Sequence, residues 1–405
     1  MNGLSDSTGK TFVLVFPWNN DDDGLKESFL AVDLINHSME NITVDLYYNE
    51  LEFIERDIIL RPFHITITIE EMNYRRHIFS KAVVYKYIYG GFNRYPDLRI
   101  FIRSSLPINV LAYSFVEGGS VLPEDMAGKN YALTLPAPLV NSGSAIICLL
   151  PTISDTNVNL TIITSDSFEN YYIGLKVEAN RDVVIYSKKE SFTVYANGDA
   201  PFHMIVAVQN LPVSPTSTIT DFGMLMVPPT GLSTDDSGKD DTHFSHFSTT
   251  KSFLITPFAW TKSSFEIVGT NGNSSWHSVE GGRKQNTHSF NSSNFGIECA
   301  FLSRSNPINI LRYGGYGLYS DGFEGGAFLD IIIGDERMMK TVYFDFALPC
   351  CFTTLEYYGK EAYYLVGSVS EGFHTFMAGG KYIIIVSGEF NNTAFGYVPV
   401  LNRRL

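Results

Sequence analysis

The stretch FIRSSLPINVLAY, Phe101 to Tyr113, returns two hundred positions later as FLSRSNPINILRY, Phe301 to Tyr313. Seven of the thirteen positions are identical, Phe, Ser, Pro, Ile, Asn, Leu and Tyr, with no break in the offset. ANRDVVIYS (Ala179 to Ser187) and GGKYIIIVS (Gly379 to Ser387) keep the same offset, as small, basic and aliphatic positions closed by Ser. Similarity at a fixed long period is the mark of a duplicated architecture. The chain therefore divides into a first half, 1–200, with two β-units at about 1–127 and 128–200, and a second half, 201–405, with two more.

Shorter echoes lie inside the halves. Pro107 to Tyr113 resembles Asp182 to Tyr186. A companion phrase, a turn residue and Lys followed by an aromatic and aliphatic run, occurs as GKTFVLVFP (Gly9 to Pro17), GKNYALTLP (Gly128 to Pro136), MKTVYFDFALP (Met339 to Pro349) and GKEAYYLVG (Gly359 to Gly367). β-Branched and aromatic runs of this length, bounded by Gly, Pro, Asn and Ser, are strands. RSSLPINVLAY then reads as a strand, a break at Ser104 to Pro107 where Pro lacks a ladder donor, and a second strand. NVNLTIIT (Asn157 to Thr164) and HITITI (His64 to Ile69) alternate, with one face in and one out.

About 25 such runs cover the chain, and only short stretches such as Leu51 to Arg56 have a helical pattern. The expected fold is all-β: tandem β-sandwich units of jelly-roll or immunoglobulin-like kind with an internal duplication of about 200 residues. The strand count also allows a β-propeller of six or seven blades. The polar tract from Gly231 to Thr250 is the expected flexible loop.

Composition narrows the partners. Hydrophobic residues are 44% of the 405, aromatics 14% and charged residues 18%, enough apolar material for several cores. The net charge of −14 argues against a nucleic-acid partner, which needs clustered Lys and Arg. Apolar runs such as AIICLL (Ala145 to Leu150) are strand-sized, so no transmembrane segment is expected. The opening MNGLSDSTGK lacks the pattern of a secretory leader. Six N-x-Ser/Thr sequons, at Asn36, Asn41, Asn159, Asn273, Asn291 and Asn391, are glycan acceptors if the chain is secreted. Cys148, Cys299, Cys350 and Cys351 permit disulfides or act as small buried hydrophobes.

Signatures of chemistry are sparse. Asn19-x-Asp21-x-Asp23-Gly24 is half a calcium loop, but Leu30 stands where the closing Glu belongs. His243-x-x-His246, with Asp235, Asp236, Asp240 and Asp241 upstream, carries ligand types for a transition metal at a spacing that suits only a helix. No metal or cofactor is expected from either. G-x-S-x-G, P-loop and H-E-x-x-H patterns are missing. The Tyr-rich stretches YKYIYGGFNRYP (Tyr85 to Pro96) and LRYGGYGLYSDGF (Leu311 to Phe323) read either as hairpin packing or as a recognition surface.

Pro107-Ile108-Asn109-Val110-Leu111-Ala112-Tyr113, followed by Leu122-Pro123 and then Gly128-Lys129-Asn130-Tyr131, resembles the N-terminal domain of the IgGFc-binding protein family. Gly9 to Pro17 is similar to that domain's opening strand. The resemblance implies a secreted, extracellular or cell-surface protein of mucus or animal surfaces, a module of a larger extracellular protein, and binding or adhesion without catalysis. The expected function is accordingly a non-catalytic binding or adhesion module for a protein or glycan partner. A shell protein of tandem jelly-rolls is one alternative, and a carbohydrate-active enzyme with paired carboxylates is another.

Overall fold

The computed structural model describes residues 7–402 except 20–28, 55–56, 87, 115–116, 140–142, 180–181, 213–219, 231–240, 247–251, 258–259, 270–272, 284, 286–287, 292–297, 304–307, 314–327, 346–350, 358–359, 370–373 and 391–392. The first unit is β1 (Thr8–Leu14), β2 (Leu30–Asn36), β3 (Ile42–Ile54), β4 (Asp57–Ile69), β5 (Asn73–Phe79), β6 (Gly91–Pro96), β7 (Ile100–Ser114) and β8 (Glu117–Val121). The repeated phrase falls on β7, which serves two sheets. Its first part, Ile100 to Ser104, pairs with β1 on one side and β3 on the other. Its second part, Asn109 to Ser114, pairs with β2 and β8. β4 flanks β3 and β5 flanks β2. The expected break is instead a change of partners within one strand. Residues 105–107 pair with none of the four neighbours, which is where Pro107 costs no ladder bond.

The second unit repeats the wiring with β9 (Gly128–Leu135), β10 (Ala145–Pro151), β11 (Thr156–Ile163), β12 (Phe168–Leu175), β13 (Asp182–Lys188), β14 (Phe192–Pro212) and β15 (Thr220–Val227). β14 pairs with β9 and β11 through its first part and with β10 and β15 through its second. β12 flanks β11, β13 flanks β10, and β6 from the first unit adds itself to β13.

The third unit is β16 (Asp241–His246), β17 (Ser252–Pro257), β18 (Lys262–Gly269), β19 (Ser274–Glu280), β20 (His288–Asn291), β21 (Glu298–Ser303) and β22 (Ile308–Tyr313). β21 pairs with β16 and β18, while β22 pairs with β17. β19 and β20 flank as before. FLSRSNPINILRY thus supplies β21 and β22, in the place FIRSSLPINVLAY takes in β7. The last segment holds β23 (Phe328–Gly334), α1 (Glu336–Thr341), β24 (Tyr343–Phe344), β25 (Thr353–Tyr357), β26 (Lys360–Val369), β27 (Phe376–Met377), β28 (Tyr382–Phe390) and β29 (Thr393–Asn402). Its main sheet runs β25-β26-β23-β28-β29. The fold is all-β, built from sandwiches whose long strand crosses between layers, rather than from the separate blades of a propeller.

Several expectations change. β14 passes through residue 200 without interruption and β15 completes its sheet, so the second unit reaches Val227. The tract 231–250, read as a flexible loop, contains β16, paired with β21 from Asp241 to His246. Leu51 to Ile54 belongs to the β3–β4 hairpin rather than to a helix. ANRDVVIYS lies on β13, between β10 and β6, and GGKYIIIVS leads into β28, between β23 and β29.

The Gly-Lys phrase has a geometric reason in the first two units. A Cβ on Gly9 would lie 2.3 Å from Cβ of Pro123, and one on Gly128 would lie 2.2 Å from Cβ of Pro229. Each proline follows the last strand of its unit, so the opening strand must carry Gly to let the unit close. The third copy falls on α1 and β24, the fourth on β26.

Packing joins the units. Ile146, Cys148 and Leu150 of β10 enter the core that holds Val32, Leu34 and Val110 of the first unit. Ala145, Ile147 and Leu149 enter the second unit's core with Leu133, Leu160 and Val194. Beside this layer, Arg99 and Asp97 form a fully buried bidentate ion pair, Nε to Oδ1 and Nη2 to Oδ2, both 2.8 Å. The guanidinium also donates to the carbonyls of Lys176, Val177 and Glu178 in the β12–β13 turn. The third unit is fastened to β9 by Thr256 Oγ1 donating to Thr134 Oγ1 at 2.9 Å and Asn309 Nδ2 donating to the Ala132 carbonyl at 2.7 Å.

Arg99→Met leaves Asp97 buried without its cation and is expected to cost about 3–5 kcal/mol in urea unfolding, with Asp97→Asn in the same chain recovering part of the loss. Gly128→Ala is expected to lower stability by about 1–3 kcal/mol. Gly174→Ala is its control, because a Cβ there meets Asn157 Oδ1 at an ordinary 3.6 Å.

Candidate functional site

The sequence FENYYIGL of β12 alternates, and its two faces have different fates. Ile173 and Leu175 point into the second core, with Tyr171 packed against it. On that inner side Glu169 is surrounded by donors. Its Oε2 accepts from Tyr171 at 2.6 Å and Tyr186 at 3.2 Å, and its Oε1 accepts from Lys188 at 2.9 Å and Ser167 at 3.2 Å. Burial works to raise the carboxyl's pKa, but the hydrogen bonds from Tyr171 and Lys188 outweigh it and hold the group below its ordinary value. The Tyr171 phenol is pushed up to about 12 by burial and by Glu169. This cluster ties β12 to β13 across the sandwich and has its charge and donors spent on one another.

The outer side carries Phe168, Asn170 and Tyr172. Strand register places Tyr172, Asn159, Asn197 and Asn130 in one row across β12, β11, β14 and β9. Asn170, Thr161, Tyr195 and Ala132 form the next row. Thr161 Oγ1 donates to Asn170 Oδ1 at 2.7 Å, and Asn197 Nδ2 donates to Asn130 Oδ1. Tyr172 is 74% exposed. Ala132, Ile163 and Tyr195 are buried with Phe168 against them, where the third unit docks on β9. From the third unit Trp260 stands 65% exposed, with its ring 6.2 Å from that of Phe168 and its backbone at φ 60°, a conformation uncommon for such a residue. The Arg283 guanidinium lies over the Phe168 ring, 5.8 Å from its centroid. The result is a strip of amides and hydroxyls with an aromatic ring at each end and the Arg283 guanidinium over Phe168.

The sequons divide. Asn36 is fully buried, its Nδ2 donating to the carbonyls of Glu40 and Glu70, both at 2.8 Å, and its Oδ1 accepting from Ser38 N and Oγ. In the folded chain Asn36 is thus a turn residue. Both amide hydrogens are used, and the Asn-x-Ser pattern is an Asx turn at the β2–β3 corner. Asn41 is exposed and accepts from Glu71 N. Asn159 lies exposed within the strip, and Asn273 is exposed before β19. The side chain of Asn291, at the end of β20, and the whole of Asn391 lie outside the described residues.

The half calcium loop beyond Asn19 also lies outside the described residues. His243 and His246 lie on β16, and their side chains lie outside the described residues. Among the described residues no group of three or more His, Cys, Asp or Glu could hold a metal. Cys148 is a buried free thiol, pushed up to about 12 by burial. Of the first Tyr-rich stretch, Tyr85 and Tyr95 pack at 4.6 Å, Phe92 stacks on Tyr171 and Tyr95 Oη accepts from Tyr89 N, while Tyr89 itself is exposed. Of the second, Leu311 packs on the second core, and 314–323 lie outside the described residues. Neither predicted surface contains the strip. Its one sequence signal was the alternation of Phe168, Asn170 and Tyr172. No helix among the described residues is long and apolar enough to cross a membrane. No family model matches the chain, and no curated protein matches it.

In chain secreted behind a signal peptide from eukaryotic cells, Asn36 is expected to be unmodified in every folded molecule, read by peptide mapping of the soluble protein. A glycan on Asn36 in folded material would contradict the turn geometry.

Proposed function

We propose that this chain is a non-catalytic binding or adhesion module of an extracellular protein, and that the outer strip of β12 takes a glycan. The observation that carries the reading is the combination of exposed aromatic rings with an uncharged row of amides. Sugar rings present C–H faces that stack on Tyr and Trp, while their hydroxyls pair with the donors and acceptors of Asn and Thr. The strip has both components and a suitable length: Phe168 to Tyr172 spans about 14 Å at roughly 3.4 Å per residue. The resemblance of the Gly-Lys and Pro-Ile-Asn phrases to the IgGFc-binding N-terminal domain supports the extracellular setting, and the exposure of Asn41 and Asn273 is consistent with it.

The test is binding of the full chain to an array of neutral oligosaccharides, followed by titration of those retained. Tyr172→Ala and Trp260→Ala are each expected to weaken binding about tenfold, the equivalent of about 1.4 kcal/mol, with thermal unfolding unchanged. Retention of no neutral glycan, or retention indifferent to both substitutions, rejects the strip. So does a glycan carried by Asn159 in the secreted protein, since that sugar would itself cover Tyr172.

A further inference from the structure

We infer that β5 is a docking edge, which takes an extended acidic segment of a partner protein as an added antiparallel strand. The equivalence of the first two units carries the argument. β5 stands beside β2 as β13 stands beside β10, each the outer strand next to the second strand of its unit. In the second unit the far side of β13 is occupied. β6 pairs with it over six positions, from Gly91 against Ser187 to Pro96 against Asp182, and Arg94 forms an ion pair with Asp182. In the first unit the sheet order ends at β5. The other edge of that sheet, β8, lies against β15 and β29. Among the described residues, the same architecture thus has one outer strand capped by a six-residue segment and one left open.

The open strand has the properties of a receptor rather than of a blunted edge. β5 pairs with β2 along all seven residues, so half of its N–H and C=O groups point away from the sheet. Ile78 is 60% exposed and Tyr74 40%, which gives side-chain contacts to accompany main-chain pairing, as in strand-addition recognition. Between them lie Arg75, Arg76 and His77. Arg76 is already engaged, its Nε and Nη2 each 2.7 Å from Asp33, and burial pushes the His77 imidazole below its ordinary value, but Arg75 is exposed on the surface. A second copy of β5 would bring two Arg75–Arg76 segments together, and like charges across a ladder are unfavourable. A strand bearing Asp or Glu opposite Arg75 meets it with opposite charge. This inference concerns a protein partner and a different sheet, and it stands or falls independently of the glycan strip.

The experiment pans the full chain against a displayed library of nonapeptides with Asp or Glu at alternate positions, then measures the enriched peptides by fluorescence anisotropy and amide hydrogen exchange. Enriched peptides are expected to slow exchange at Tyr74 to Ile78 and to leave β12 unchanged. Arg75→Glu is expected to weaken them at least tenfold, and peptides with Lys in place of the acidic residues to regain affinity for that variant. No enrichment, protection elsewhere than β5, or affinity unaffected by Arg75→Glu overturns the proposal. Concentration-dependent dimerisation that itself protects β5 also overturns it, in favour of a second copy as the occupant.

Discussion

The rest of the structure depends on β10 having no face toward water. A strand with one solvated side alternates in sequence, whereas AIICLL is apolar throughout because each of its faces meets a different core. The layer β13-β10-β14-β15 therefore belongs to two sandwiches at once, and the first unit owes part of its core to residues of the second. Burial in this layer also governs its polar members. His203, on β14, is pushed down to about 4 and is neutral, as is the Cys148 thiol. Hydrophobic area gives this contact its strength, and the Asp97–Arg99 pair with its three captured carbonyls fixes where the second unit's β12–β13 turn must lie. Apolar faces tolerate sliding; a guanidinium with assigned acceptors does not.

Much of this was legible in the sequence, and what escaped has physical reasons. The phrase at Phe101 and Phe301 marks the same element because a strand that leaves one sheet and enters another needs two strand-forming runs around a residue that forgoes a ladder bond, the place Pro107 takes in β7. The phrase at Ala179 and Gly379 is weaker evidence, because three aliphatic residues after a turn describe any buried strand. The repeated Asn shows the limit of identity itself. Asn109 Nδ2 donates to Ser7 within its unit, whereas Asn309 reaches across to β9.

The strip was less accessible to sequence reasoning. Alternation along β12 says that one face is buried, but not that the other remains open on a sheet partly covered by a later unit. Trp260 comes to Phe168 through tertiary packing between units, and no local pattern announces it. The sequon at Asn36 shows the converse. A pattern read by a modifying enzyme and a pattern that closes an Asx turn are the same three letters, and only burial tells them apart.

The placement of β6 bears on how the chain is made. It is encoded in the first unit, between β5 and β7, yet its hydrogen-bonding partner β13 follows roughly 90 residues later, which at about 5–20 residues per second means roughly 5–20 s of synthesis. Until β13 follows, the nascent first unit holds an unpaired strand, and until β10 follows, a bare apolar face. Its fold is completed by what the ribosome has not yet delivered, so a chain terminated near residue 127 would keep permanently the exposure that the full chain experiences only in passing.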